Sequence, residues 1–343
     1  MKTFEYIISE KKINCTFDVP SDFITSNFNK EKSVIITDDK VFSFHQHKFV
    51  GFKVITISNG ERFKTQTTID NVIKQLLEWK ISKEDTIIGV GGGVVTDIAG
   101  FVANIYKRGI NLVLFPTTIL GMVDAALGGK NGINVGLYKN MVGTVYQPAI
   151  IAFDFAFLAS LPDVEWVNGF AEIIKHACIQ DEILFSVLEK SSILEYKNNP
   201  KLIAALIENN VSLKMNFVIK DEFDRKERKF LNFGHTLGHA LENLYQLPHG
   251  HAVSIGMVAA ARLSEKINIQ TGSISERIVR LLKLYELPVD MEFNYKEVFE
   301  LMQLDKKREG DYLNFVLLNK IGEAFTQPLE MGIIEECLKE MHS

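Results

Sequence analysis

Short, almost continuously apolar runs recur through the first part of the chain: SVIIT (33–37), FKVITI (52–57), DTIIGV (85–90), NLVLF (111–115) and AIIAF (149–153). Runs of this length, rich in Val and Ile and bounded by polar residues, predict buried strands. Between two of them, TIDNVIKQLLEWK (68–80) repeats its apolar residues at helical spacing. Strands alternating with helices predict a parallel sheet covered on both faces. From about Asp154 the pattern changes to long helical stretches: EWVNGFAEIIKHACI, PKLIAALIENNVSLKMNFVIK, AVSIGMVAAARLSEKI and ERIVRLLKLYEL. In this second part only YLNFVLL (312–318) reads as a strand. The expectation is an α/β amino-terminal domain over 1–155 and a mostly α-helical domain over 156–343, with the boundary near 154–162.

Composition sharpens this without changing it. A length of 343 residues fits two domains of ordinary size. An apolar content of 46% with 24% charged residues describes a globular protein with ample core. The net charge of −5 argues against general nucleic-acid binding. Cys15, Cys178 and Cys337 are few, odd in number and far apart, which fits a reducing compartment without a disulfide framework. The start MKTFEYIISEKK lacks a signal-peptide core, and the most apolar stretch, 109–129, is broken by Pro116, Asp124 and glycines. The expectation is a cytoplasmic protein with neither nucleic acid nor membrane as partner.

Three glycines, Gly91, Gly92 and Gly93, close the run DTIIGV and open the helical VVTDIAGFVANIYKRG. A strand-to-helix turn of this kind brings backbone N–H groups and a helix dipole to an anion such as a dinucleotide pyrophosphate. A tight structural corner is the alternative, and the pattern is not GxGxxG. Asp97 falls in the first helical turn, where a plain dipole role is open to it. Asp38 follows a strand, where an acid can bond ribose hydroxyls or simply shape a turn, and Glu61 and Lys64 have the same open status.

Four of the eight histidines lie in 231–257, LNFGHTLGHALENLYQLPHGHAVSIGM. His235 and His239 share a helix face, Asn232 lies three residues before, and His249 and His251 follow a loop with Pro248 and Gly250. Two of these histidines and a carboxylate from another helix would hold a catalytic divalent metal and leave a position open. Glu172 is the candidate, because an unpaired carboxylate among Phe170, Ala171, Ile173 and Ile174 would be costly. Lys175 lies one turn away. Arg108, Lys130, Lys139, Asn140, Lys214, Arg228, Asn232, Lys306 and Lys307 supply further positive or amide groups for a phosphate or carboxylate, although singly each reads as a surface group.

Taken in order, GGGVVTDIAGFVA, RGI with FPTT, DAALGGKNGIN, KNMVG, GFAEIIKHA, LNFGHTLGHALE, HGHAVSIGM and DKK resemble the 3-dehydroquinate synthase family of sugar phosphate cyclases, from about 36 to 322. The resemblance implies a Rossmann-like first domain followed by a helical second one. It implies NAD held by Asp38, Glu61, Lys64, Gly92, Gly93, Val94, Asp97, Thr117 and Thr118, with Lys130, Lys139 and Asn140 close by. It further implies zinc, with cobalt as an alternative, on Glu172, His235 and His251. His249 is then a bystander and His239 serves substrate phosphate or proton transfer. Asp124, Lys130, Lys175, Lys214, Arg228, Asn232 and one of Lys306 and Lys307 fall on substrate-binding or catalytic positions. Arg108 matches an arginine lent to a neighbouring subunit, which implies a homodimer.

The implied activity converts 3-deoxy-arabino-heptulosonate 7-phosphate to 3-dehydroquinate and phosphate. Departures from the family pattern are Asp224 in DEFDRKER, the Lys226-Glu227 pair before Arg228, and Lys40. Rival readings are a cyclase for a substrate without a carboxylate, an iron- or zinc-dependent dehydrogenase, and a non-catalytic relative.

Overall fold

The structure, a computed structural model, describes residues 1–136, 138–267, 273–303 and 308–342. They gather into two compact units: Met1–Glu165 with Pro200–Phe223, and Trp166–Asn199 with Asp224–Ser343.

The first unit is built on strands β1 (Lys2–Ile8), β2 (Lys11–Phe17), β3 (Ser33–Asp38), β4 (Lys53–Ile57), β5 (Thr86–Gly91), β6 (Asn111–Pro116), β7 (Lys130–Val135), β8 (Tyr138–Val145) and β9 (Ile150–Phe153). Seven of them form one sheet in the order β1-β2-β9-β6-β5-β3-β4. The five apolar runs of the sequence are its parallel strands β3, β4, β5, β6 and β9. Ile35, Ile88 and Val113 sit side by side across this sheet, fully buried, which is what a continuous apolar run provides when helices cover both faces. The helix Gln66–Glu78 buries Ile69, Val72 and Leu76 on one stripe, and Thr65 caps its start.

Among the parallel strands, β3 and β5 are neighbours although β4 lies between them in sequence. The chain reverses its direction of travel across the sheet there. Such a switch point opens a crevice beyond the carboxyl ends of the two strands, the usual ligand position in a doubly wound sheet.

Two hairpins were not expected from the apolar pattern. The antiparallel pair β1–β2 forms one sheet edge with alternating, half-exposed residues, and in the pair β7–β8 the first strand buries Asn131, Gly132 and Ile133 while the second is largely exposed. The helix Pro200–Lys220, which the run of helical patterns assigns to the second domain, packs with the first unit. It lies against β1 and the turn Gly121–Ala125, and Lys214 reaches Asp124. Among the described residues it is the one helix long and apolar enough to cross a membrane, yet half of that window is buried and it carries Glu208 and Lys214.

The second unit is mainly helical. Its helices include Asp163–Gln180, His235–Tyr245, His249–Ile267, Ile274–Leu284, Tyr295–Gln303 and Met331–His342. Leu237, Leu241, Ile255, Ala259, Leu313 and Leu317 share its core. Here the expectation of a single strand is corrected: β11 (Tyr312–Lys320) is flanked by β10 (Arg308–Glu309) and β12 (Glu323–Glu330). β12 is an edge, where Pro328 and alternating exposed residues are tolerated and no apolar run announces a strand.

Candidate cofactor crevice and metal centre

The glycine turn lies at the switch point. β5 ends at Gly91, and Gly92 caps the helix Gly93–Ile105. A Cβ on Gly91 would stand 2.4 Å from a methyl of Val95, and one on Gly92 would stand 3.0 Å from that of Thr118, so the turn has no room for side chains. The backbone is therefore bare where the first N–H groups of the helix, from Gly93 and Val94 onward, lack intrahelical acceptors, which suits a phosphate. Thr117 is bound to the same turn through its N–H, 3.0 Å from the Gly91 carbonyl, and Thr118 accepts from the Gly121 N–H at 2.9 Å.

On the other side of the switch point, Asp38 ends β3 and caps the helix Asp39–His45 by accepting from the Val41 N–H at 2.9 Å. Burial pushes its carboxyl above the usual range, and the N–H groups of Val41 and Lys40 only partly offset this. Glu61, Lys64, Asp97 and Asn140, scattered in sequence, meet in one network. Lys64 is buried, pairs with Asp97 and donates to the Asn140 side-chain oxygen at 2.5 Å. Burial raises the Asp97 carboxyl, while the Lys64 ammonium draws it back down.

Asn134 completes the network, donating to Glu61 Oε1 at 2.8 Å and accepting from the Asn140 N–H at 3.1 Å. Sequence reasoning passed over it, although the second Asn of GGKNGIN was the available signal. Lys130 opens β7 and is exposed, and Lys139 lies in β8. Lys214 donates to the Asp124 carbonyl at 2.6 Å and to its carboxylate at 2.7 Å. Arg108 is exposed on a turn where it and Lys107 both adopt left-handed backbone, with φ of 60° and 48°.

In the second unit Glu172 is wholly buried midway along the helix Asp163–Gln180. Among the described residues, neither of its carboxylate oxygens has a hydrogen-bond partner of good geometry. Positive or protonatable groups surround them instead. The Lys175 ammonium pairs with Oε2, while His235 Nε2 and His249 Nε2 lie 3.6 Å and 3.4 Å from Oε1. Burial alone would raise the Glu172 carboxyl, but Lys175 and the two imidazoles hold it well below the ordinary value.

Each imidazole has its other nitrogen engaged. His235 Nδ1 lies 3.1 Å from the Phe233 carbonyl, and His249 Nδ1 lies 3.1 Å from Glu242 Oε2. Carbonyl and carboxylate oxygens only accept, so both Nδ1 atoms carry hydrogen and both Nε2 atoms turn toward Glu172. Burial and the Lys175 charge keep the His235 ring neutral, well below its ordinary pKa. For His249, burial is outweighed by Glu172 and Glu242, which push the ring up to about 10 in the absence of a cation.

One ligand atom from each of Glu172, His235 and His249 lies within 4.8 Å of the others. One carboxylate and two imidazole nitrogens, with a further position open, is a donor set that fits zinc or cobalt. The cluster brings in His249, where the resemblance pointed to His251 as the second imidazole ligand. His249 is the first residue of the helix His249–Ile267. Two residues on, the helix has turned by about 200°, so His251 leaves from the opposite face.

Glycines set the helix separations. A Cβ on Gly250 would stand 2.2 Å from the Asn168 carbonyl oxygen, and Asn168 also accepts from the Gly250 N–H at 2.6 Å. A Cβ on Gly256 would lie 1.8 Å from the Gly234 carbonyl oxygen. Both contacts require glycine, and both lie next to the ligand histidines. Nearby, Arg228 is buried, Asn232 donates to the Lys229 carbonyl at 3.1 Å, and His239 is exposed one turn beyond His235. Lys306 and Lys307 lie outside the described residues.

A doubly wound sheet with a bare glycine turn at its switch point, and a helical unit with a carboxylate–dihistidine cluster, define a class of two-part α/β proteins suited to a dinucleotide and a divalent metal. Comparison with known proteins is specific. The 3-dehydroquinate synthase N-terminal family model matches residues 54–168, and the 3-dehydroquinate synthase C-terminal model matches 169–308. The 3-dehydroquinate synthase of Campylobacter concisus is 38% identical over 305 residues, covering 86% of this chain and 87% of its own. The chain belongs to the 3-dehydroquinate synthase family.

Solved structures that share the fold include two complexes with NAD+ and a divalent metal. A 2-deoxy-scyllo-inosose synthase complexed with carbaglucose-6-phosphate, NAD+ and Co2+ superposes with a TM-score of 0.88 at 24% identity, covering 99% of this chain and 100% of its own. The 2-epi-5-epi-valiolone synthase of Streptomyces hygroscopicus, with NAD+ and Zn2+ bound, gives 0.88 at 24%, covering 99% of each chain.

Proposed function

We propose that this protein is a carbon–oxygen lyase that converts 3-deoxy-arabino-heptulosonate 7-phosphate to 3-dehydroquinate and phosphate. The observation that carries the proposal is the convergence of Glu172, His235 and His249 in a member of this family. Direct loss of phosphate from C7 is slow because the neighbouring C6–H is barely acidic. Transient oxidation of the C5 hydroxyl to a ketone acidifies that bond, and phosphate then leaves by β-elimination. Re-reduction at C5, ring opening and intramolecular aldol addition close the carbocycle. The hydride removed is returned, so no net oxidation occurs.

When bound, NAD supplies the reversible hydride exchange and zinc or cobalt supplies Lewis acidity toward the C4 and C5 hydroxyls. The chain's own groups do the holding. The N–H groups of Gly93 and Val94, with Gly92, Thr117 and Thr118, suit the pyrophosphate, and Asp38 suits a ribose hydroxyl. Lys64, braced by Asp97 and Asn140, keeps a rigid polar floor together with Glu61, and Lys130 and Lys139 lie on the adjoining hairpin. Glu172, His235 and His249 would hold the metal.

Asp124, Lys130, Lys175, Lys214, Arg228, Asn232 and His239, with one of Lys306 and Lys307, are the groups suited to the anionic substrate. Their contribution is positioning and charge stabilisation. The departing phosphate itself takes the C6 proton, so no side chain need be a dedicated base. The protein acts as a cytoplasmic homodimer in which Arg108 serves the neighbouring subunit. Its exposure on a strained turn supports that role.

The test is phosphate release from the heptulosonate phosphate in the presence of catalytic NAD. Stoichiometric NADH would instead indicate a dehydrogenase. A cyclase acting on a substrate without a carboxylate is disfavoured by Lys214 and Arg228, which match carboxylate-binding positions.

A further inference from the structure

We infer that Glu242 is a positioning residue for the metal ligand His249, and that its negative charge is what lets the site accept a dication. The inference rests on the reading of Glu172, His235 and His249 as the ligand set. Glu242 lies on the helix His235–Tyr245, seven residues after His235, so both side chains leave from the same stripe of that helix. They meet His249 from two sides. The His235 and His249 ring centroids are 5.3 Å apart, and Glu242 Oε2 is 3.1 Å from His249 Nδ1.

Glu242 is itself only 8% exposed, and burying a carboxylate is costly unless an ionic or hydrogen-bonding partner offsets it. The contact dictates chemistry. An ionised carboxylate has no proton to give, so Nδ1 must donate, and Nε2 is the atom left facing Glu172 Oε1 at 3.4 Å. His235 receives the same orientation from a neutral backbone carbonyl. The two ligands are therefore held by different devices, and charge accounts for the difference.

Glu172 is already paired with the buried Lys175 ammonium, so the carboxylate ligand brings no net negative charge to the centre. A divalent ion beside that pair gains from a further buried anion. Glu242, acting through the imidazole, supplies one and makes Nε2 a stronger donor. Outer carboxylates of this kind change metal affinity by about 10–100-fold when removed.

The test measures Zn2+ affinity by chelator competition, and the absorption spectrum of the Co2+-loaded protein, for the full chain and for Glu242→Gln, Glu242→Ala and His249→Ala. The Gln amide keeps an acceptor for Nδ1 but loses the charge. Glu242→Gln should therefore weaken Zn2+ about tenfold with an unchanged cobalt spectrum, while Glu242→Ala should weaken it about 100-fold and alter the spectrum. A merely structural role would not separate the two variants in this way. Should the Ala variant fail to fold, the near-isosteric Gln variant decides. Wild-type affinity in Glu242→Gln, beside a wild type that binds one ion and a His249→Ala that loses it, overturns the inference alone. A wild type that binds no ion, or a His249→Ala that binds normally, overturns the ligand reading and the inference with it.

Discussion

Gly250→Ala is the most informative small perturbation, because one methyl group tests how the metal centre is assembled. The added Cβ would stand 2.2 Å from the Asn168 carbonyl oxygen and 2.9 Å from both the Asn168 carbonyl carbon and the Ala171 Cβ. Two of these atoms are backbone, so no rotamer change can relieve the clash. The first turn of the helix His249–Ile267 would have to withdraw from the helix Asp163–Gln180 by about 0.8 Å to reach a tolerable contact, and overpacking of this kind costs about 1–3 kcal/mol. Against a typical total of about 5–15 kcal/mol, the variant should still fold.

His249 adjoins the displaced residue, and Glu172 lies on the other helix. Metal–ligand distances tolerate only about 0.2 Å. The expected result is a folded protein whose melting temperature falls by several degrees, whose Zn2+ affinity drops at least about tenfold and whose phosphate-release rate falls with it. Metal per chain, measured after dialysis against a weak chelator, reads the effect directly. Gly332→Ala is the control, since a Cβ there would meet nothing within 4 Å. Wild-type metal affinity and stability in Gly250→Ala would refute the claim that this glycine sets the ligand geometry.

Further outcomes follow from the same structure. His249→Ala should lose bound metal and turnover, whereas His251→Ala should keep its metal, and elemental analysis of both variants separates the two assignments. Lys64→Met should destabilise the protein by about 2–4 kcal/mol in urea melts, because the mostly buried Asp97 loses its cation. The double variant Lys64→Met, Asp97→Leu should recover much of that stability without recovering NAD binding.

Asp38→Asn should weaken NAD in isothermal titration yet leave the cofactor-free protein at least as stable at neutral pH. The folded-state pKa of Asp38 is raised, so ionisation opposes folding, in full above that pKa, and the penalty fades as the pH falls from it toward the ordinary carboxylate range. Asn keeps the helix cap and carries no charge. The stability difference should therefore shrink as the pH falls through the Asp38 pKa, and a difference that grew toward acid would contradict the sign.

The parallel core was legible because strands buried on both faces are written as uninterrupted apolar runs, as in SVIIT and DTIIGV. The β7–β8 hairpin was not, since KNGINV and YKNMVGTV are polar or glycine-rich and half in solvent. Nor was the placement of Pro200–Lys220: a helical period says that a stripe will be buried, but not against which unit. At the metal centre Glu172 stood out because a carboxylate among apolar neighbours needs a partner. The choice between His249 and His251 depended on where their helix begins, and a difference of two residues inverts the face. Asn168, Glu242 and Gly250 carry no local mark, because each acquires its role only from a partner on another helix.

The central claim is that this chain eliminates phosphate through a transient oxidation. The direct measurement follows inorganic phosphate and NADH together, with purified metal-loaded protein, the heptulosonate 7-phosphate and NAD at a small fraction of the substrate. Many phosphates released per NAD, with no lasting absorbance of NADH, is the predicted result. Phosphate that stops at one equivalent per NAD, or NADH that accumulates in step with substrate loss, would contradict it.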